Sequence, residues 1–387
     1  GARSIGVSAA GSSRLSVGAL LLAGILGWAR SQFNGAGPLT EPIFFEVPRG
    51  ATLAQVSDDL AESGAIANAT LFRLGADYAG QEGALKFGSY ELPAGASMAE
   101  ILDILTEGGR GGYRYVVEYV IGVAGAETRL IERLPGTGEA TLVARFASGD
   151  PVPASYAALV EDGAPMVRRL TLVPGSTVRM AVEALRAAPF LSGEIAEMPA
   201  EGMLAPDTYE VENGESRARL LAVMQARQQA ILADAWGLRA AGLPLATPQE
   251  ALTLASIIEK ETAVASERPL VASVFVNRLN AGMRLQTDPT VIYGVTDGLG
   301  FMERGITRSD LRQVTAYNTY VIDGLPPSPI ANPSRAAIEA ALAPATSDYF
   351  YFVADGTGGH AFATTLAEHN RNVQRWREIE GARQQAE

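Results

Sequence analysis

The 387-residue chain contains no cysteine. This absence excludes disulfide scaffolds, cysteine-based zinc sites and thiol catalysis. Histidine is almost as scarce, with only His360 and His369, so a Ser-His-Asp triad would have to use one of these two. The two are nine residues apart, which is not the spacing of metal ligands on one helix. We therefore expect neither a metal nor a cofactor.

Basic residues are outnumbered by acidic ones. The chain has 31 Lys and Arg against 43 Asp and Glu, which gives a formal net charge of −12. Because nucleic acid backbones bind patches of Lys and Arg, and no basic cluster is present, we expect no nucleic acid partner. The hydrophobic content of 47% is that of a globular protein, and the length suggests two or three domains.

One uncharged run, Leu15–Ala29, lies near the start of the chain between Arg14 and Arg30. As a helix it would extend ~22 Å, which is short for a hydrocarbon core of ~30 Å. The run fits a single-pass anchor, a cleaved signal peptide with Gly27-x-Ala29 as its cleavage site, or a buried core helix. Under the first reading, the basic excess that includes Arg3 before the run places the N-terminus in the cytoplasm and the rest outside.

The remaining pattern predicts an α+β fold. A strand–helix–helix–strand unit extends from Ile43 to Leu92, and Thr52 is the predicted cap of its first helix. Tyr113–Phe146 is rich in strand-forming residues and resembles a small β-rich insert. Another strand, Arg169–Val173, precedes a Pro-Gly turn and a helix. The first two thirds of the chain thus combine short strands with helices, one of which is a long helix from Ser216 to about Ala240.

The last third has the clearest helix signals. Thr247–Glu250 forms a capping box with Pro at the first helical position, which predicts a helix to about Ala263. We expect loop and short strand over Met283–Val295, and a helix to about Ala343 that is capped by Asn332-Pro333. Tyr349–Ala354 reads as a buried strand that is followed by a glycine turn of hairpin type.

One carboxylate of the helix that follows the capping box has an unusual position. At about 100° per residue, Glu261 falls within the apolar stripe that contains Leu254 and Ile257. Glu259 falls on the opposite face, where we expect an ordinary solvated charge, and Leu252 is an apolar residue that also points outward. A buried carboxylate has a raised pKa unless it is paired, and a general acid must be protonated near neutral pH. The alternative for Glu261 is structural support by an Arg or by backbone N–H groups.

Two polar loops lie nearby in the sequence, within Arg284–Thr290 and Tyr317–Tyr320. They combine aromatic, amide and hydroxyl side chains, as carbohydrate grooves do, because sugar hydroxyls need polar partners and sugar rings stack on aromatic faces. Internal hydrogen bonding within the loops is the alternative. The candidate substrate contacts are Gln286, Thr287, Asp288, Tyr317, Asn318 and Thr319.

Several segments closely resemble a known family. They are Ala255–Gly294, Ala316–Leu342, Tyr349–Asn370 and the EGMLAPDTY segment Glu201–Tyr209. All four resemble the endolytic murein transglycosylases of the MltG/YceG-like family. The apolar N-terminal run and the unit around Phe44–Leu92 look like that family's membrane anchor and LysM-like module.

The resemblance implies cleavage within nascent peptidoglycan strands, between N-acetylmuramic acid and N-acetylglucosamine, leaving a 1,6-anhydro end and terminating polymerisation. The second Glu of the EKET motif, the family's essential residue, falls on Glu261. Implied partners are glycan strands and the peptidoglycan synthases, and the implied location is the inner membrane, single-pass, with the catalytic domain in the periplasm. The chain departs from the family's pattern in two places. Tyr113–Met166 is longer than a minimal family member needs, and the Pro174-Gly175 turn lacks the Glu that many relatives have between Pro and Gly. That turn is remote in sequence from the catalytic motif.

The predicted organisation follows from the pattern and the resemblance together. The segments are 1–14 cytoplasmic N-terminus, 15–29 transmembrane helix, 30–42 tether, 43–110 LysM-like α/β module, 111–168 β-rich insert, 169–246 connecting region and 247–387 α+β catalytic domain. Two other functions stay open. One is a two-carboxylate hydrolase in which Asp288 or Glu201 assists Glu261, and the other is a non-catalytic wall-binding scaffold.

Overall fold

The computed structural model describes residues 23–107 and 112–386, and the chain is a mixed α+β protein. The elements up to residue 172 are α1 (23–34), β1 (Ile43–Val47), α2 (Leu53–Glu62), α3 (Ala69–Tyr78), β2 (Gly88–Leu92), α4 (Met98–Glu107), β3 (Tyr115–Gly122), β4 (Gly125–Arg133), β5 (Ala140–Ala147), α5 (Ala154–Glu161) and β6 (Met166–Leu172). The later elements are α6 (Val178–Ala187), β7 (Leu191–Ser192), β8 (Thr208–Val211), β9 (Glu215–Ser216), α7 (Arg217–Gly237), α8 (Pro248–Glu261), a 3-10 turn (Ala265–Glu267), α9 (Arg268–Asn280), α10 (Asp288–Val295), α11 (Arg308–Arg312), α12 (Arg335–Leu342), β10 (Tyr351–Ala354), β11 (His360–Ala363) and α13 (Leu366–Ala386).

The chain divides into two compact units. The first consists of Gly1–Val116, Leu130–Val143 and Ala154–Val167, and the second of Val117–Arg129, Ala144–Pro153 and Arg168–Glu387. In the first unit β1 and β2 pair antiparallel, with Ile43 opposite Leu92, and α2 and α3 lie between them in sequence. The predicted strand–helix–helix–strand order is therefore confirmed. Its core is fully buried at Val56, Leu60 and Phe72.

The helix starts in the first unit follow local capping rules. Thr52 and Gln55 form a capping box at α2, and the side chain of Asn68 accepts the Leu71 N–H at α3. Each cap binds N–H groups that the first helical turn leaves without a partner. Short helices of this kind are fixed jointly by such caps and by the apolar face that they bury.

A five-stranded sheet has the strand order β5-β4-β3-β6-β8. β6 and β8 are antiparallel, with Leu170 opposite Tyr209. Leu170 and Tyr209 belong to a buried apolar cluster with Val182 and Leu185 of α6. The boundary predicted after residue 168 lies within β6, one residue from the division between the two units at Val167 and Arg168.

The second unit contains a helical core built around α8. Helices α7, α9, α10 and α12 all pack against α8. The buried side chains of this core include Leu254, Ile257, Phe275 and Ile338. A helix that is covered by four others has no solvent-facing side over most of its length. Charged residues on α8 are therefore buried to a degree that a surface helix would not show.

Three sequence predictions for the last third need correction. Met283–Val295 contains the helix α10 and no strand, because Asp288 and Pro289 begin a helix that tertiary packing stabilises. The helix α12 is capped by Ser334, whose side chain accepts the Ala337 N–H, and not by Asn332-Pro333. The strand predicted at Tyr349–Ala354 is shorter and only partly buried.

The predicted glycine turn is confirmed as the turn of a β-hairpin. β10 and β11 pair antiparallel, with Tyr351 opposite Ala363 and Ala354 opposite His360. The turn between them contains Gly356 and Gly358 with positive φ, a backbone conformation that glycine adopts without strain. The hairpin packs against α9 and α13.

The predicted transmembrane run is only partly covered by the structure. Residues 1–22 lie outside the described residues. The sequence also predicts that the helix Met98–Glu107 ends at Gly108-Gly109, and these two glycines lie outside the described residues as well. Within α1, Ile25, Leu26 and Trp28 are exposed, which argues against the core-helix alternative. No helix in the described part of the chain has both the length and the apolar character needed to cross a membrane.

Candidate active site

Helix α8 carries the carboxylate on which the sequence analysis centred. It begins at the Thr247–Glu250 capping box with Pro248 at its first turn, as predicted, and its last residue is Glu261. Every residue from Ala251 to Ile258 is buried. The prediction that Leu252 points outward is therefore wrong, because the helical wheel assumed a surface helix with one solvated face.

Glu259 also departs from its prediction. Its side chain is only 6% exposed, and its carboxylate accepts the Ser334 N–H at 2.8 Å and the Ser334 hydroxyl. The guanidinium of Arg268 lies 3.8 Å away. Glu259 is therefore a buried structural acceptor that binds the N-terminus of α12, where the helix dipole favours negative charge. It is not the solvated charge that the wheel predicted.

Glu261 lies at the end of α8 and stays partly exposed. Burial raises the pKa of Glu261 to about 7. The hydrogen bond from the Thr287 hydroxyl lowers this pKa, the nearby Asp288 carboxylate raises it, and the charges of His360 and Arg278 lower it. Glu261 thus has a raised pKa and is not fully enclosed. This is the condition that a general acid needs at neutral pH.

Thr287 is held in place by a network of hydroxyl groups. Its N–H donates to Thr319 Oγ1 at 3.0 Å, and Thr290 Oγ1 donates to the Thr287 carbonyl at 2.7 Å. Thr290 and Thr319 also share a hydrogen bond of 2.8 Å. The network fixes the Thr287 hydroxyl at the position from which it donates to Glu261. Thr287 thus contacts the candidate acid rather than presenting a free hydroxyl to solvent.

Two other predicted contacts are scaffold residues in the structure. Asn318 is fully buried, and its amide donates to the carbonyls of Leu311 at 3.1 Å and Gln313 at 2.7 Å. Thr319 is fully buried within the hydroxyl network described above. The prediction that these two side chains contact substrate is therefore corrected, because their polar atoms are already used by the loop itself, the alternative that the sequence left open.

The other predicted contacts remain accessible. Gln286 is exposed and has φ of 50°, an uncommon backbone conformation for a residue with a side chain. Asp288 is exposed and accepts a hydrogen bond of 2.7 Å from the Tyr320 hydroxyl. Tyr317 is partly exposed, and its hydroxyl shares a hydrogen bond of 2.7 Å with Ser328. These three residues stay candidates for substrate contact.

Sequence reasoning missed two side chains that lower the pKa of Glu261, those of His360 and Arg278. Arg278 is almost fully buried, and its guanidinium donates to the carbonyls of Phe350 at 2.6 Å and Leu285 at 2.7 Å. Burial lowers the pKa of Arg278, while the negative charge of Glu261 raises it. The sequence analysis considered His360 only as a metal ligand or as a member of a Ser-His-Asp triad. Its role depends on a partner 93 residues away, which no local pattern reveals.

Glu201, the alternative second carboxylate, accepts hydrogen bonds from other residues of the protein on both of its oxygens. Its Oε1 accepts the Val178 N–H at 2.9 Å at the start of α6, and its Oε2 accepts the Tyr293 hydroxyl at 3.2 Å. Burial raises the pKa of Glu201 to about 7, and these hydrogen bonds and one from the Gly202 N–H oppose the rise. Glu201 is therefore engaged on both oxygens by the protein.

The Pro174-Gly175 turn, remote in sequence, touches the end of α8. The Lys260 ammonium donates to the Gly175 carbonyl at 3.3 Å. The turn is also bound by Asn332, whose carbonyl accepts the Gly175 N–H at 2.9 Å. Gly175 has φ of 83°, so the chain makes a tight turn where it contacts this helix end.

No group of three or more His, Cys, Asp or Glu arranged to hold a metal ion is found in the parts of the chain that the structure covers. The groups that act on Glu261 are the Thr287 hydroxyl, the Asp288 carboxylate, the His360 imidazole and the Arg278 guanidinium. This donor set matches acid–base chemistry on a hydroxyl-rich ligand.

Comparison with known proteins identifies the family. The model of the YceG-like family matches residues 45–134 and 145–375. The chain therefore belongs to the YceG-like family. An endolytic murein transglycosylase of Bacillus subtilis (strain 168) is 44% identical over 125 residues, which are 32% of this chain and 34% of that protein. The endolytic murein transglycosylase of Streptococcus pneumoniae serotype 2 is 35% identical over 180 residues, 45% of this chain and 31% of that protein.

The matches to these curated relatives thus span about a third of the relatives' length. Among solved structures, a putative yceG-like protein from Listeria monocytogenes is 26% identical, with a TM-score of 0.47, and the match covers 86% of this chain and 98% of that one.

Proposed function

We propose that the chain is an endolytic lytic transglycosylase that cleaves peptidoglycan glycan strands, with Glu261 as its proton-transfer group. The observation that carries the proposal is the state of Glu261. Burial raises its pKa to about 7, and the Thr287 hydroxyl donates to its carboxyl group. Both curated relatives described above are named endolytic murein transglycosylases, and they support the same substrate class.

In the first half of the reaction, protonated Glu261 donates its proton to the oxygen of the glycosidic bond between N-acetylmuramic acid and N-acetylglucosamine. The bond from C1 of the muramic acid to that oxygen breaks, and the N-acetylglucosamine leaves with a hydroxyl group. Positive charge then develops on the muramic acid ring, where the substrate's own N-acetyl group can stabilise it. Glu261 is left as a carboxylate.

In the second half, the carboxylate of Glu261 accepts the proton of the muramic acid C6 hydroxyl as that oxygen attacks C1. A 1,6-anhydro ring forms, and Glu261 is again protonated. The attacking hydroxyl is part of the same sugar, so its effective concentration is high and no water needs to be activated. One carboxyl group is therefore sufficient, whereas a hydrolase of the usual type needs two.

The candidates for a second carboxylate differ in their surroundings. Glu201 accepts hydrogen bonds on both oxygens from Val178 and Tyr293, which leaves it poorly suited to activate water. Asp288 is exposed and lies close enough to raise the pKa of Glu261. A hydrolase that uses Asp288 is thus the runner-up, and the chemical nature of the product separates the two reactions.

The N-terminal part of the chain supports a location at a membrane. We propose that residues 15–29 anchor the chain in the inner membrane as a single span, with residues beyond 30 in the periplasm. The exposed apolar side chains of Ile25, Leu26 and Trp28 fit burial in lipid. The unit from β1 to β2 would serve as a LysM-like module that binds glycan strands, and peptidoglycan synthases would be partners in termination of nascent strands.

The test is mass spectrometry of purified glycan strands after incubation with the full-length chain, in ordinary and in isotopically labelled water. Transglycosylation gives anhydro ends that are one water lighter than reducing ends and carry no label. Labelled reducing ends would replace the proposal with hydrolysis. Intact strands that nevertheless bind the chain would replace it with a wall-binding scaffold.

A further inference from the structure

Two tyrosines of the second unit lie against each other, and we call them the tyrosine pair. Tyr293 belongs to α10 and Tyr317 to the loop after α11, and their ring centroids are 4.7 Å apart at an interplanar angle of 58°. Both residues are partly exposed, and both also pack against the apolar core around α8. The pair therefore contacts the protein core and still keeps part of its surface accessible.

Both hydroxyl groups of the tyrosine pair are bound by the protein. The Tyr293 hydroxyl donates to Oε2 of Glu201 at 3.2 Å, and the Tyr317 hydroxyl shares a hydrogen bond of 2.7 Å with Ser328. Glu201 is itself fixed through Oε1, which accepts the Val178 N–H at 2.9 Å. Aromatic rings that are already held in one orientation lose little freedom when they bind a ligand, and this favours binding.

The backbone of α10 packs closely against the segment that carries Tyr317. A Cβ atom at Gly294 would lie 3.2 Å from the Cβ of Tyr317 and 2.5 Å from the hydroxyl oxygen of Thr315. Gly294 lies within a helix and has no positive φ, so close packing explains the need for glycine at this position. This contact sets the distance between the two rings of the pair.

The tyrosine pair is joined to Glu261 by short contacts. Thr287, whose hydroxyl donates to Glu261, donates its N–H to Thr319 Oγ1 at 3.0 Å. Tyr317 is two residues before Thr319. Tyr293 is six residues after Thr287, which corresponds to ~9 Å along α10. The ligand that can reach both Glu261 and the pair is therefore an extended chain of sugars and not a single sugar ring.

We propose that the tyrosine pair is a binding subsite for a sugar ring of the glycan strand that is not one of the two rings at the cleaved bond, and that Glu201 is a positioning residue for this subsite. The C–H groups of a pyranose ring form an apolar face that packs on an aromatic ring. Tyr317 supplies the aromatic ring, and Tyr293 supports it while bound to Glu201. The subsite rests on the proposed function, because the glycan strand is the ligand that it would bind.

The first test measures binding of a peptide-free octasaccharide of the glycan strand by calorimetry. The full-length chain carries Glu261→Gln so that no cleavage interferes, and it is compared with the same chain that also carries Tyr317→Leu. Leu keeps apolar contact with Tyr293 but has no aromatic face. We expect Tyr317→Leu to weaken binding about tenfold, and Tyr317→Phe, which keeps the ring, to restore most of the affinity. Equal affinities of the Tyr317→Leu chain and its parent would overturn the proposal.

The second test concerns the bond between Glu201 and Tyr293. Tyr293→Phe removes the hydroxyl that binds Glu201 and keeps the ring. The matched control is Tyr119→Phe, because the buried Tyr119 hydroxyl donates to the Ala184 carbonyl at 2.8 Å. Both variants should lose stability in thermal unfolding, and only Tyr293→Phe should weaken octasaccharide binding, by about threefold. Unchanged affinity in both variants would show that the bond is only structural and would remove Glu201 from the proposal.

The third test separates the subsite from the proposed function by measuring cleavage with Glu261 intact. We expect Tyr317→Leu to raise KM for glycan strands about tenfold and to change kcat little, because the ring that the pair binds is not a ring that reacts. A fall in kcat with unchanged KM would place the pair at the reacting sugars and contradict the proposal. A wild-type chain that cuts no glycan, together with octasaccharide binding that Tyr317→Leu weakens, would leave the subsite standing and remove the proposed function.

Discussion

Thr287 donates its hydroxyl hydrogen bond to the carboxyl group of Glu261. The contact joins the residue that precedes α10 to the last residue of α8, and the backbone of Thr287 is itself fixed by Thr290 and Thr319. Burial makes the charged form of Glu261 unfavourable, and the Thr287 hydroxyl partly offsets this by binding the carboxylate. The balance between the two sets the pH at which Glu261 can act as an acid.

The Thr287→Val variant tests how much the Thr287 hydroxyl lowers the pKa of Glu261. The methyl group replaces the hydroxyl at nearly the same volume, so the lost hydrogen bond should raise the pKa of Glu261 by about one unit. Because Glu261 must be protonated at the start, the alkaline limb of the pH–rate profile should move upward. The lower stability of the carboxylate should reduce kcat.

Thr253→Val is the control for the same chemical change. Thr253 lies earlier on α8, and its hydroxyl donates to the Gln249 carbonyl at 2.9 Å. We expect a small loss of stability and an unchanged pH profile. A Thr287→Val profile that coincides with that of Thr253→Val would show that the hydroxyl does not tune Glu261.

Glu259→Gln tests the correction to the helical wheel. The carboxylate of Glu259 binds the Ser334 N–H and hydroxyl at the start of α12, and an amide binds such donors less strongly than a charge does. Urea unfolding should show a loss of about 1–2 kcal/mol. The matched change Glu183→Gln, at an exposed side chain on α6, should stay within about 0.5 kcal/mol of wild type. Equal effects of the two changes would restore the solvated reading of Glu259.

Asn318→Ala and Gln286→Ala should separate scaffold from substrate contact. Asn318 donates to backbone carbonyls that would be left without a partner, so Asn318→Ala should lower the free energy of unfolding by about 2–3 kcal/mol. Its KM, measured at a temperature where the variant is folded, should stay near the wild-type value. Gln286 is exposed, so Gln286→Ala should raise KM and leave stability nearly unchanged. A raised KM for Asn318→Ala without loss of stability would return Asn318 to the substrate contacts.

Glu201→Gln should change how stability depends on pH. The pKa of Glu201 is raised in the folded protein from 4.5 to about 7. Between these values the unfolded chain ionises while the folded chain keeps its proton, so the stability that Glu201 contributes is complete below the lower value and is lost as pH rises through the higher one. The stability difference between wild type and Glu201→Gln should therefore drop by about 3 kcal/mol between pH 4 and pH 8. Thermal unfolding at several pH values measures it, and a difference that does not change with pH would contradict the raised pKa.

Helix starts and turns could be predicted from the sequence, because each is determined by residues that are close together in the chain. The capping box at Thr247 and Pro248 places the start of α8 correctly, and the Gly-rich turn before His360 correctly indicates a hairpin. Both depend on residues within a few positions of each other, and a single sequence contains all of them. The position of Glu261 at the end of α8 follows from the same local reading.

Long-range packing explains what the sequence could not predict. The wheel placed Leu252 and Glu259 in solvent because it cannot show that α8 is covered by four other helices. Glu259 meets Ser334 across 75 residues, and His360 meets Glu267 across 93. Met283–Val295 contains β-branched residues that favour a strand when they are read locally, and packing against α8 stabilises a helix there instead.

The central claim is that one carboxyl group, that of Glu261, performs both proton transfers. It is tested most directly by comparing Glu261→Gln with Asp288→Asn on defined glycan strands, with rates and end groups measured together. We predict no cleavage by Glu261→Gln, and continued release of anhydro ends by Asp288→Asn with its alkaline limb moved to lower pH, because Asp288 raises the pKa of Glu261. Cleavage that survives Glu261→Gln, or activity that Asp288→Asn abolishes as completely as Glu261→Gln does, would contradict the account.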